Sequence, residues 1–397
     1  MKILIISNLF PPSVLGGYEI LCGQVVQSLR CRGHEVRILT STHGDASIGL
    51  DDLVMRRLQL FQPFDRPVSS AMRRARLRTA SVNTSITKAV LREYPFDVVF
   101  VWSLLRLTAS PARAAEHSGL PVVYTFNDEH PSGYLPAHFS LHPKQFVRWI
   151  LDRTVTRPTT AGGLRFAHTT CISELLKRNL VKSGMPIPTS RVIYQGIPID
   201  RFPLRTPPSV RPVPMKILYA GQLHPYKGVH TLISALQLLA QTVGASDLTC
   251  SIVGAGEQEY ENRLKSDAGR SGFPVAFLGR VPHDRMGEIY RSHDLLVFPS
   301  IWPEPFGLTH LEAMASGLPV ISTTNGGQGE FLVDEENCLS FEPDNPQQLA
   351  QCIARLVENE GLYAALVAAG RQTVEKGFTF DRYVSDLETL LAEAIDS

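Results

Sequence analysis

Residues 295–317, LLVFPSIWPEPFGLTHLEAMASG, decide the fold of this chain, because they predict a strand, a tight loop and a short helix in succession. LLVFPS has strand character, and the helical pattern that starts near Gly307 stops at Gly317, a residue type that ends helices in the left-handed conformation. PVISTT, which follows, predicts another strand. Together these elements form a βαβ unit, from which parallel sheets are built.

Two acids in this unit are candidate ligand contacts. Glu304 lies in the loop after the first strand, where ligands bind in open parallel sheets, and Glu312 lies about one turn into the helix. The first-turn amides of residues 306–309 are expected to attract phosphate. Two carboxylates beside an anion site suit a phosphorylated ligand rich in hydroxyls, such as a sugar nucleotide. A solvated loop acid and a helix-capping acid are the alternative.

The composition is that of a globular protein with a full core. The chain has 397 residues, enough for two domains, with 44% hydrophobic and 19% charged residues. A net charge of +1 argues against a general nucleic-acid binder. The opening MKILIISNLFPP is interpreted as a strand rather than a signal peptide, and no apolar stretch approaches the length that spans a membrane.

The six cysteines have no CxxC spacing and are predicted to be buried, reduced thiols of a cytoplasmic protein. They are Cys22, Cys31, Cys171, Cys250, Cys338 and Cys352. His283, His293 and His310 show no metal-ligand spacing to each other, so no metal site is expected.

Strands and helices alternate in two successive sets. Residues 1–205 are predicted to form one α/β domain and 215–378 a second, with prolines marking a linker within residues 201–215. MKILYAGQL at the start of the second set resembles the opening MKILIISNL. We expect two doubly wound Rossmann-like domains facing each other across a cleft, with a last helix over about residues 380–397 packing back on the first.

Three glycine-bearing loops at predicted strand ends could approach a ligand closely. Gly16 and Gly17 open the first long helix, and they do not belong to a GxGxxG fingerprint, which argues against NAD. Lys227 in AGQLHPYKG could place a positive charge beside a phosphate, although an isolated lysine is more often a surface residue. The TNGGQGE loop, with Gly326, Gly327 and Glu330, could cover the ligand.

The densest polar loop of the first half is NDEH, with Asn127, Asp128, Glu129 and His130. It could supply an acceptor contact or a base, or it could be an ordinary polar loop. Neither a GxSxG elbow nor a GxxxxGK[ST] phosphate loop occurs, so serine hydrolase and P-loop activities are unlikely on sequence grounds.

Seven arginines lie in the stretch Arg56–Arg78, interleaved with Leu, Phe and Met. A basic amphipathic stretch can be a solvated face, lie on an anionic membrane surface or clamp an anionic acceptor, and the sequence leaves the three open. The arginines are Arg56, Arg57, Arg66, Arg73, Arg74, Arg76 and Arg78.

These motifs resemble the retaining glycosyltransferases of family 4, which have the GT-B fold. The resemblance runs from the Gly16–Gly17 loop and GHEV at residues 33–36, through AGQLHPYKG and FPSIWPEPFGLTHLEAMASGLPVI, to the NGGQGE loop. Glu304 and Glu312 match the family's Glu-x7-Glu motif.

The resemblance implies transfer of a sugar from a nucleotide sugar to a hydroxyl acceptor, with retention and without a metal or cofactor. It implies that Glu304 lies against the donor sugar and that Glu312 binds the ribose hydroxyls. The amides of Phe306, Gly307 and Leu308 would bind sugar or phosphate oxygens. Lys227 and the Gly17 amide would hold the diphosphate. Such catalysis acts by positioning and charge stabilisation.

Two positions depart from the family pattern. Gln222 stands where an arginine is common, which removes one cation from the diphosphate site. Asn127 stands where a histidine is frequent near the reacting sugar, and His130 is a candidate substitute.

From the resemblance as a whole we expect a cytoplasmic transferase of polysaccharide or glycoconjugate biosynthesis, with UDP-sugar favoured and possible contact with the inner membrane surface. A nucleotide-sugar-binding protein with weak transfer and a GT-B epimerase are the alternatives.

Overall fold

The computed structural model describes residues 1–44, 52–64, 72–205, 214–240, 244 and 247–397. Contacts divide the chain into two compact units. The first comprises Met1–Ile193 and Val384–Ser397, and the second comprises Tyr194–Tyr383.

The first unit is built on a seven-stranded parallel sheet with the order β3-β2-β1-β4-β5-β6-β7. The strands are β1 Lys2–Ile6, β2 Glu35–Ser41, β3 Val54–Leu58, β4 Val98–Val101, β5 Val122–Phe126, β6 His168–Cys171 and β7 Arg191–Val192. Its helices are α1 Gly17–Cys31, α2 Arg73–Glu93, α3 Ser110–Glu116, α4 Pro143–Arg153 and α5 Glu174–Lys182.

The second unit repeats this plan with a six-stranded parallel sheet, in the order β10-β9-β8-β11-β12-β13. Its strands are β8 Met215–Ala220, β9 Leu248–Val253, β10 Val275–Gly279, β11 Leu295–Phe298, β12 Val320–Ser322 and β13 Leu339–Ser340. Its helices are α6 Val229–Leu239, α7 Gln258–Ala268, α8 Met286–Arg291, α9 Leu308–Ala315, α10 Pro346–Glu358 and α11 Glu360–Gly377. The last helix, α12 Phe380–Asp396, carries the chain into the part that groups with the first unit.

The central strands are buried on both faces, as their near-continuous apolar runs predict. Every residue of β4, β5 and β11 is buried. In each sheet the first three strands run outward in one direction, and the fourth starts on the other side of the first strand. This reversal creates a topological switch point beside β1 and another beside β8, and the fold class is therefore two doubly wound Rossmann-like units.

The division between the units falls before the proline-rich segment, although the sequence suggested a boundary within residues 201–215. Residues 206–213 lie outside the described part. Phe202 is buried in the second unit, and the Arg205 amide donates to the Ser316 carbonyl at 3.1 Å, so 194–205 group with that unit. The C-terminal residues 384–397 group with the first unit, where Glu388 pairs with Arg32 at 2.7 Å and with His34 at 2.7 Å.

Two local predictions need correction. Cys31 is exposed, whereas the other five cysteines are buried, and all six are free thiols. The arginine-rich stretch is not one amphipathic element, because it begins in β3 and ends in α2.

Candidate functional site

The switch point of the second unit brings together the loops that follow β8 and β11. These strands are neighbours in the sheet, and the chain leaves them toward opposite flanks. Ligands of open α/β sheets bind at this position, outside the carboxyl ends of the strands. Residues 221–228 and 299–307 form these two loops.

The two loops are joined by backbone contacts. The amides of Ile301 and Trp302 donate to the Tyr226 carbonyl at 2.9 and 3.1 Å. Gly228 has a φ of 69°, and a Cβ there would lie 1.9 Å from the Pro299 carbonyl oxygen. Only glycine therefore permits this close approach, which sets the position of Lys227 relative to Glu304.

Lys227 and Glu304 form an ion pair across the switch point. The Lys227 Nζ donates to Oε1 of Glu304 at 2.7 Å and to Oε2 at 2.8 Å. Ser300, two residues after β11, donates from its Oγ to Oε1 at 2.6 Å. The lysine side chain is 14% exposed and that of the glutamate 9%. Three hydrogen bonds thus orient the carboxylate of Glu304.

The surroundings of this pair are aromatic. The Lys227 Nζ lies 5.6 Å from the ring centre of Tyr226, 5.8 Å from that of Phe298 and 6.0 Å from that of Trp302. Removing two charges from water costs free energy that their attraction often fails to recover, so a buried pair is weak support for a stabilising role. An oriented carboxylate beside an ammonium group at a ligand-binding edge is better explained by a ligand that uses both.

A third loop, after β12, packs against Glu304. The Gly327 amide donates to the Glu304 carbonyl at 2.7 Å, and the Asn325 side-chain amide donates to the Ile301 carbonyl at 2.8 Å. A Cβ on Gly326 would lie 2.4 Å from the Glu304 backbone nitrogen. The NGGQGE loop therefore fixes the backbone of Glu304. We propose no role for the Glu330 side chain.

The start of α9 is strained and needs glycine. Gly307, which precedes the helix, has a φ of 123°, and a Cβ there would lie 2.6 Å from His310 Nδ1. The Phe306 side chain is buried and packs on Tyr194 and Phe331, with ring centres 5.9 and 5.3 Å away. The Phe306 side chain thus anchors the loop, and ligand binding by the amides of Phe306, Gly307 and Leu308 stays a prediction.

His310, on the first turn of α9, is fully buried. Its Nε2 lies 2.9 Å from Ser322 Oγ and its Nδ1 lies 3.2 Å from the Gly307 carbonyl oxygen. Burial lowers the pKa of His310 to about 4, so the ring is neutral near pH 7. It links the ends of β11 and β12 to the helix start through its contacts.

Glu312, on the same helix, is also buried and hydrogen-bonded. The Tyr290 hydroxyl donates to its Oε2 at 2.7 Å, and the His283 Nε2 lies 3.2 Å from its Oε1. This hydrogen bond to Glu312 raises the pKa of His283. Burial, followed by the charge of Glu312, raises the pKa of Tyr290 well above its usual value. Two donors therefore hold the carboxylate in place.

Gln222 lies in the same loop as Lys227, and its side chain is exposed. The Tyr219 hydroxyl donates to its carbonyl at 2.8 Å. A Cβ on Gly254 would lie 1.8 Å from the Gly221 carbonyl oxygen, so the loop after β9 packs directly on this segment. The side chain of Gln222 is accordingly available to a ligand at this edge.

The NDEH loop contributes to a pocket of the first unit. Asn127, Asp128 and His130 line it together with Tyr18 and Ser103. Asp128 Oδ1 accepts from the His130 amide at 2.9 Å, and the His130 ring lies 5.2 Å from that of Tyr134. Burial lowers the pKa of His130, although the nearby Asp128 opposes this shift. The NDEH loop therefore lies at the carboxyl end of β5, as predicted.

Gly16 and Gly17 lie at the start of α1. The Glu19 carboxylate accepts from the Gly16 amide at 2.9 Å and from the Leu15 amide at 3.3 Å. Among the residues that the structure describes, none lies within 4 Å of a Cβ placed at either glycine. Packing against this part of the chain therefore does not require glycine here. Binding of the diphosphate by Gly17 stays a prediction.

Sequence reasoning missed three supporting residues. Ser300 could have been found from its place directly after an apolar strand, because hydroxyls at strand ends commonly face ligands. His283 was considered only as a metal ligand, and Tyr290 was not singled out, because nothing in the local pattern connects α8 to Glu312.

In the described ranges, no group of three or more His, Cys, Asp or Glu side chains is arranged to hold a metal ion. None of the helices that the structure describes has both the length and the apolar character needed to cross a bilayer.

Comparison with known families gives matches over both units. Residues 15–201 match the model of "Glycosyltransferase Family 4", and residues 205–373 match that of "Glycosyl transferases group 1". The chain belongs to the family 4 type of GT-B glycosyltransferases. The predicted family and the GT-B fold are thereby confirmed.

Several similar proteins align with nearly the whole length of this glycosyltransferase. Glycogen synthase of Mycobacterium tuberculosis is 27% identical over 95% of this chain and 91% of its own length. Phosphatidyl-myo-inositol mannosyltransferase of Mycobacterium leprae is 26% identical over 91% of this chain and 89% of its own length. Among solved structures, Anabaena HepE has a TM-score of 0.71 at 22% identity, covering 99% of this chain and 100% of that one. Sucrose-phosphate synthase of Thermosynechococcus elongatus has a TM-score of 0.72 at 20% identity, covering 99% and 98%. The solved structures support the fold.

Proposed function

We propose that this glycosyltransferase transfers a sugar, with retention of anomeric configuration, from a nucleotide sugar to a hydroxyl acceptor, and that it needs no metal or other cofactor. The observation that carries the proposal is the Glu304 carboxylate, oriented by Lys227 and Ser300 at the switch point of the second unit. Glu312 lies on the helix that leaves the same loop and is held by two donors.

Glu304 would act on the donor sugar. An ionised carboxylate only accepts hydrogen bonds, so Glu304 would bind sugar hydroxyls and stabilise positive charge that develops at the anomeric carbon. The Lys227 ammonium has three N–H groups and contacts both carboxylate oxygens of Glu304. An N–H that does not point to Glu304 can be donated to an oxygen of the leaving diphosphate. The Lys227–Glu304 ion pair would thus place a negative group beside the positive charge at the anomeric carbon and a positive group beside the leaving diphosphate.

Glu312 would bind the ribose of the nucleotide. Its carboxylate can accept from both vicinal hydroxyls once the ligand arrives, and Tyr290 with His283 would keep it in the required orientation. The amides of residues 306–308, Gln222 and the Gly16–Gly17 loop would complete the donor contacts. A side-chain amide donates a hydrogen bond but carries no charge, so Gln222 would stabilise a diphosphate less than arginine does.

A uridine nucleotide is the favoured donor type. Anabaena HepE, a protein of similar fold, has been solved with UDP, with UDP and glucose, and with UDP-glucose. The acceptor class stays open, and Asn127, Asp128 and His130 are proposed to contact it in the first unit. The relatives' names differ in this respect, since one is a glycogen synthase and another a phosphatidyl-myo-inositol mannosyltransferase.

The direct test is nucleotide release. The purified chain would be incubated with UDP-, GDP- and ADP-sugars and with mixed hydroxyl acceptors, with chelator present in one arm. Release of nucleotide together with a glycosylated product supports the proposal, and unchanged rates with chelator support metal independence. The anomeric configuration of the product, determined by NMR, tests retention. Silence with every donor would contradict transfer.

Two alternatives have distinct outcomes in the same assay. The Gln222 and Asn127 departures favour a nucleotide-sugar-binding protein with weak transfer, which would show a donor-dependent rise in melting temperature without product. A GT-B epimerase would convert the donor sugar in the absence of any acceptor.

The predicted contact of the Arg56–Arg78 stretch with a membrane is a further proposal, and its arginines are partly engaged within the protein. Arg56 donates to the Pro11 carbonyl at 2.6 Å, Arg57 pairs with Glu93 at 3.0 Å, and Arg66 lies outside the described residues.

A further inference from the structure

Helix α4 differs from the other helices of the first unit because none of its residues is buried. It carries exposed large apolar side chains, and more precede it in the chain. Leu141 is 86% exposed and Phe139 is 60% exposed. We define the α4 face by Phe139, Leu141, Phe146, Val147 and Ile150, all of which are exposed.

The α4 face is the outer side of a helix that is attached by its polar side. Phe146, Val147 and Ile150 have the i, i+1, i+4 spacing that places side chains on one side of a helix. Asp152 is the attachment, because its Oδ2 accepts from the Ala137 amide at 2.9 Å and its Oδ1 accepts from Thr156 Oγ1 at 2.8 Å. The apolar side chains therefore turn away from the unit.

An aromatic cluster joins α4 to the segment that precedes it. The ring centre of Trp149 lies 5.4 Å from that of Phe139 and 5.8 Å from that of Phe146. The Arg153 guanidinium lies 4.6 Å from the Trp149 ring centre. Aromatic side chains with adjacent cations are typical of helices that lie in the headgroup region of a membrane.

The charge around the face is positive. Between Phe139 and Arg157 the sequence has four lysines and arginines and a single acid, Asp152, which is bound to the backbone. The cations are Lys144, Arg148, Arg153 and Arg157.

A cavity of about 390 Å³ adjoins α4 and is lined by Arg73, Arg76 and Arg148. Its acid is again Asp152. The Arg76 Nε is buried and makes no hydrogen bond within the part of the chain that the structure describes. Arg148 pairs with Asp152 at 3.7 Å, whereas the Arg76 Nε and the exposed Arg73 can donate to a phosphate group.

We propose that the α4 face docks on an anionic phospholipid bilayer and that the arginines around the adjoining cavity bind lipid headgroup phosphates. The apolar side chains enter the headgroup boundary and the cations contact anionic lipids. A second copy of this chain is a poorer partner, because two equally basic surfaces repel each other. The proposal concerns where the enzyme lies and does not depend on transfer activity.

The apolar part is tested by vesicle flotation with the full-length chain. Vesicles contain phosphatidylcholine alone or with a phosphatidylglycerol fraction. We expect the wild type to bind the anionic vesicles, and Phe146→Glu with Ile150→Glu to lower the partition coefficient roughly tenfold or more. Val181→Glu with Ile395→Glu, at exposed positions of α5 and α12, changes the net charge equally and is the matched control, which should bind better than the α4 variant.

The basic part is tested with two arginines of α2. Arg73→Glu and Arg78→Glu change the net charge equally, and only Arg73 lines the cavity. We expect Arg73→Glu to reduce binding to anionic vesicles severalfold more than Arg78→Glu does.

Three outcomes would overturn the proposal. The first is that the wild type fails to float with anionic vesicles. The second is that the α4 variants bind as the wild type does, or that anionic lipid makes no difference. The third is a dimer, seen by light scattering, that the α4 substitutions dissociate without any effect on vesicles. Melting temperatures of all variants separate loss of docking from loss of folding.

Discussion

The Lys227 ammonium group donates to both carboxylate oxygens of Glu304, at 2.7 and 2.8 Å, although the two residues are 77 positions apart in sequence. They come from the loops after β8 and β11, and the strand order makes these loops neighbours at the switch point. Ser300 adds a third hydrogen bond to the same carboxylate. Glu304 and Ser300 should therefore affect turnover more than nucleotide binding, whereas Lys227, which we propose contacts the diphosphate, should affect both.

Replacing Glu304 with Gln should abolish most turnover. The variant keeps the shape of the side chain but loses the charge that we propose stabilises the transition state, so the rate constant should fall by roughly 10²–10³. The nucleotide dissociation constant, measured by calorimetry, should change by less than about threefold, because the proposed nucleotide contacts lie elsewhere. Glu336→Gln, at an exposed position of the same unit, is the control. Full turnover in Glu304→Gln would refute the assigned role.

Replacing Glu312 with Ala should weaken nucleotide binding roughly tenfold or more, because the ribose loses its acceptor. Tyr290→Phe removes one of the two donors that hold Glu312 and should give a smaller loss in the same direction. Both effects are measured as dissociation constants for the nucleotide.

Tyr363→Phe is the matched control for Tyr290→Phe. The Tyr363 hydroxyl is also buried in the second unit and donates to the Asp294 carbonyl at 3.0 Å. If both tyrosine variants reduce nucleotide affinity equally, the effect of Tyr290 is on general stability and not on Glu312.

Gly228→Ala should destabilise the second unit by about 2 kcal/mol or more, because a left-handed φ and a contact of 1.9 Å to the Pro299 carbonyl oxygen both oppose a Cβ. The same clash should separate the loops that carry Lys227 and Glu304, so turnover should fall as well. Urea unfolding gives the free energy of unfolding. Gly377→Ala, where a Cβ meets none of the described residues within 4 Å, should leave both quantities nearly unchanged.

His310 should make the protein sensitive to acid. Its pKa falls from the usual 6.5 to about 4 on folding, so the unfolded chain binds the proton more strongly. The contribution of His310 to stability is present above pH 6.5 and is lost as the pH falls toward about 4. Over this window the slope should be about 1.4 kcal/mol per pH unit.

His310→Gln should flatten that part of the stability profile, even though it lowers stability at neutral pH by breaking the hydrogen bond to Ser322. Urea midpoints between pH 4 and pH 8 measure the effect, with His142→Gln at an exposed position as the control. An unchanged slope in His310→Gln would show that other groups cause the acid sensitivity.

Much of this site follows from local sequence signals. The strand of residues 295–298, the helix of residues 308–315 and the left-handed Gly317, with a φ of 82°, agree with the predictions from periodicity and glycine placement. Ligands bind at the carboxyl ends of strands in a parallel sheet whichever strands are neighbours. Glu304 and Lys227 could therefore be predicted as site residues from their positions after predicted strands.

Other features depend on neighbours that are distant in sequence. The linker prediction rested on prolines, but Phe202 and Arg205 pack in the second unit, and local composition carries no signal for this packing. The arginine-rich stretch was interpreted as one element, whereas Arg56 in β3 binds the backbone of Phe10 and Pro11. The exposed apolar side of α4 was missed for the same reason, because a helical pattern does not reveal whether its apolar face is covered.

The sequence by itself determined two sets of alternating strands and helices, with acids, a lysine and glycines at strand ends. Backbone propensity and apolar periodicity are local properties, so they can be predicted from the amino-acid sequence. Only the tertiary structure decided that Lys227 and Ser300 both bind Glu304, and that Tyr290 and His283 both contact Glu312. Those pairings depend on strand order and on glycines that let loops approach within contact distance, and both are set when the whole sheet packs.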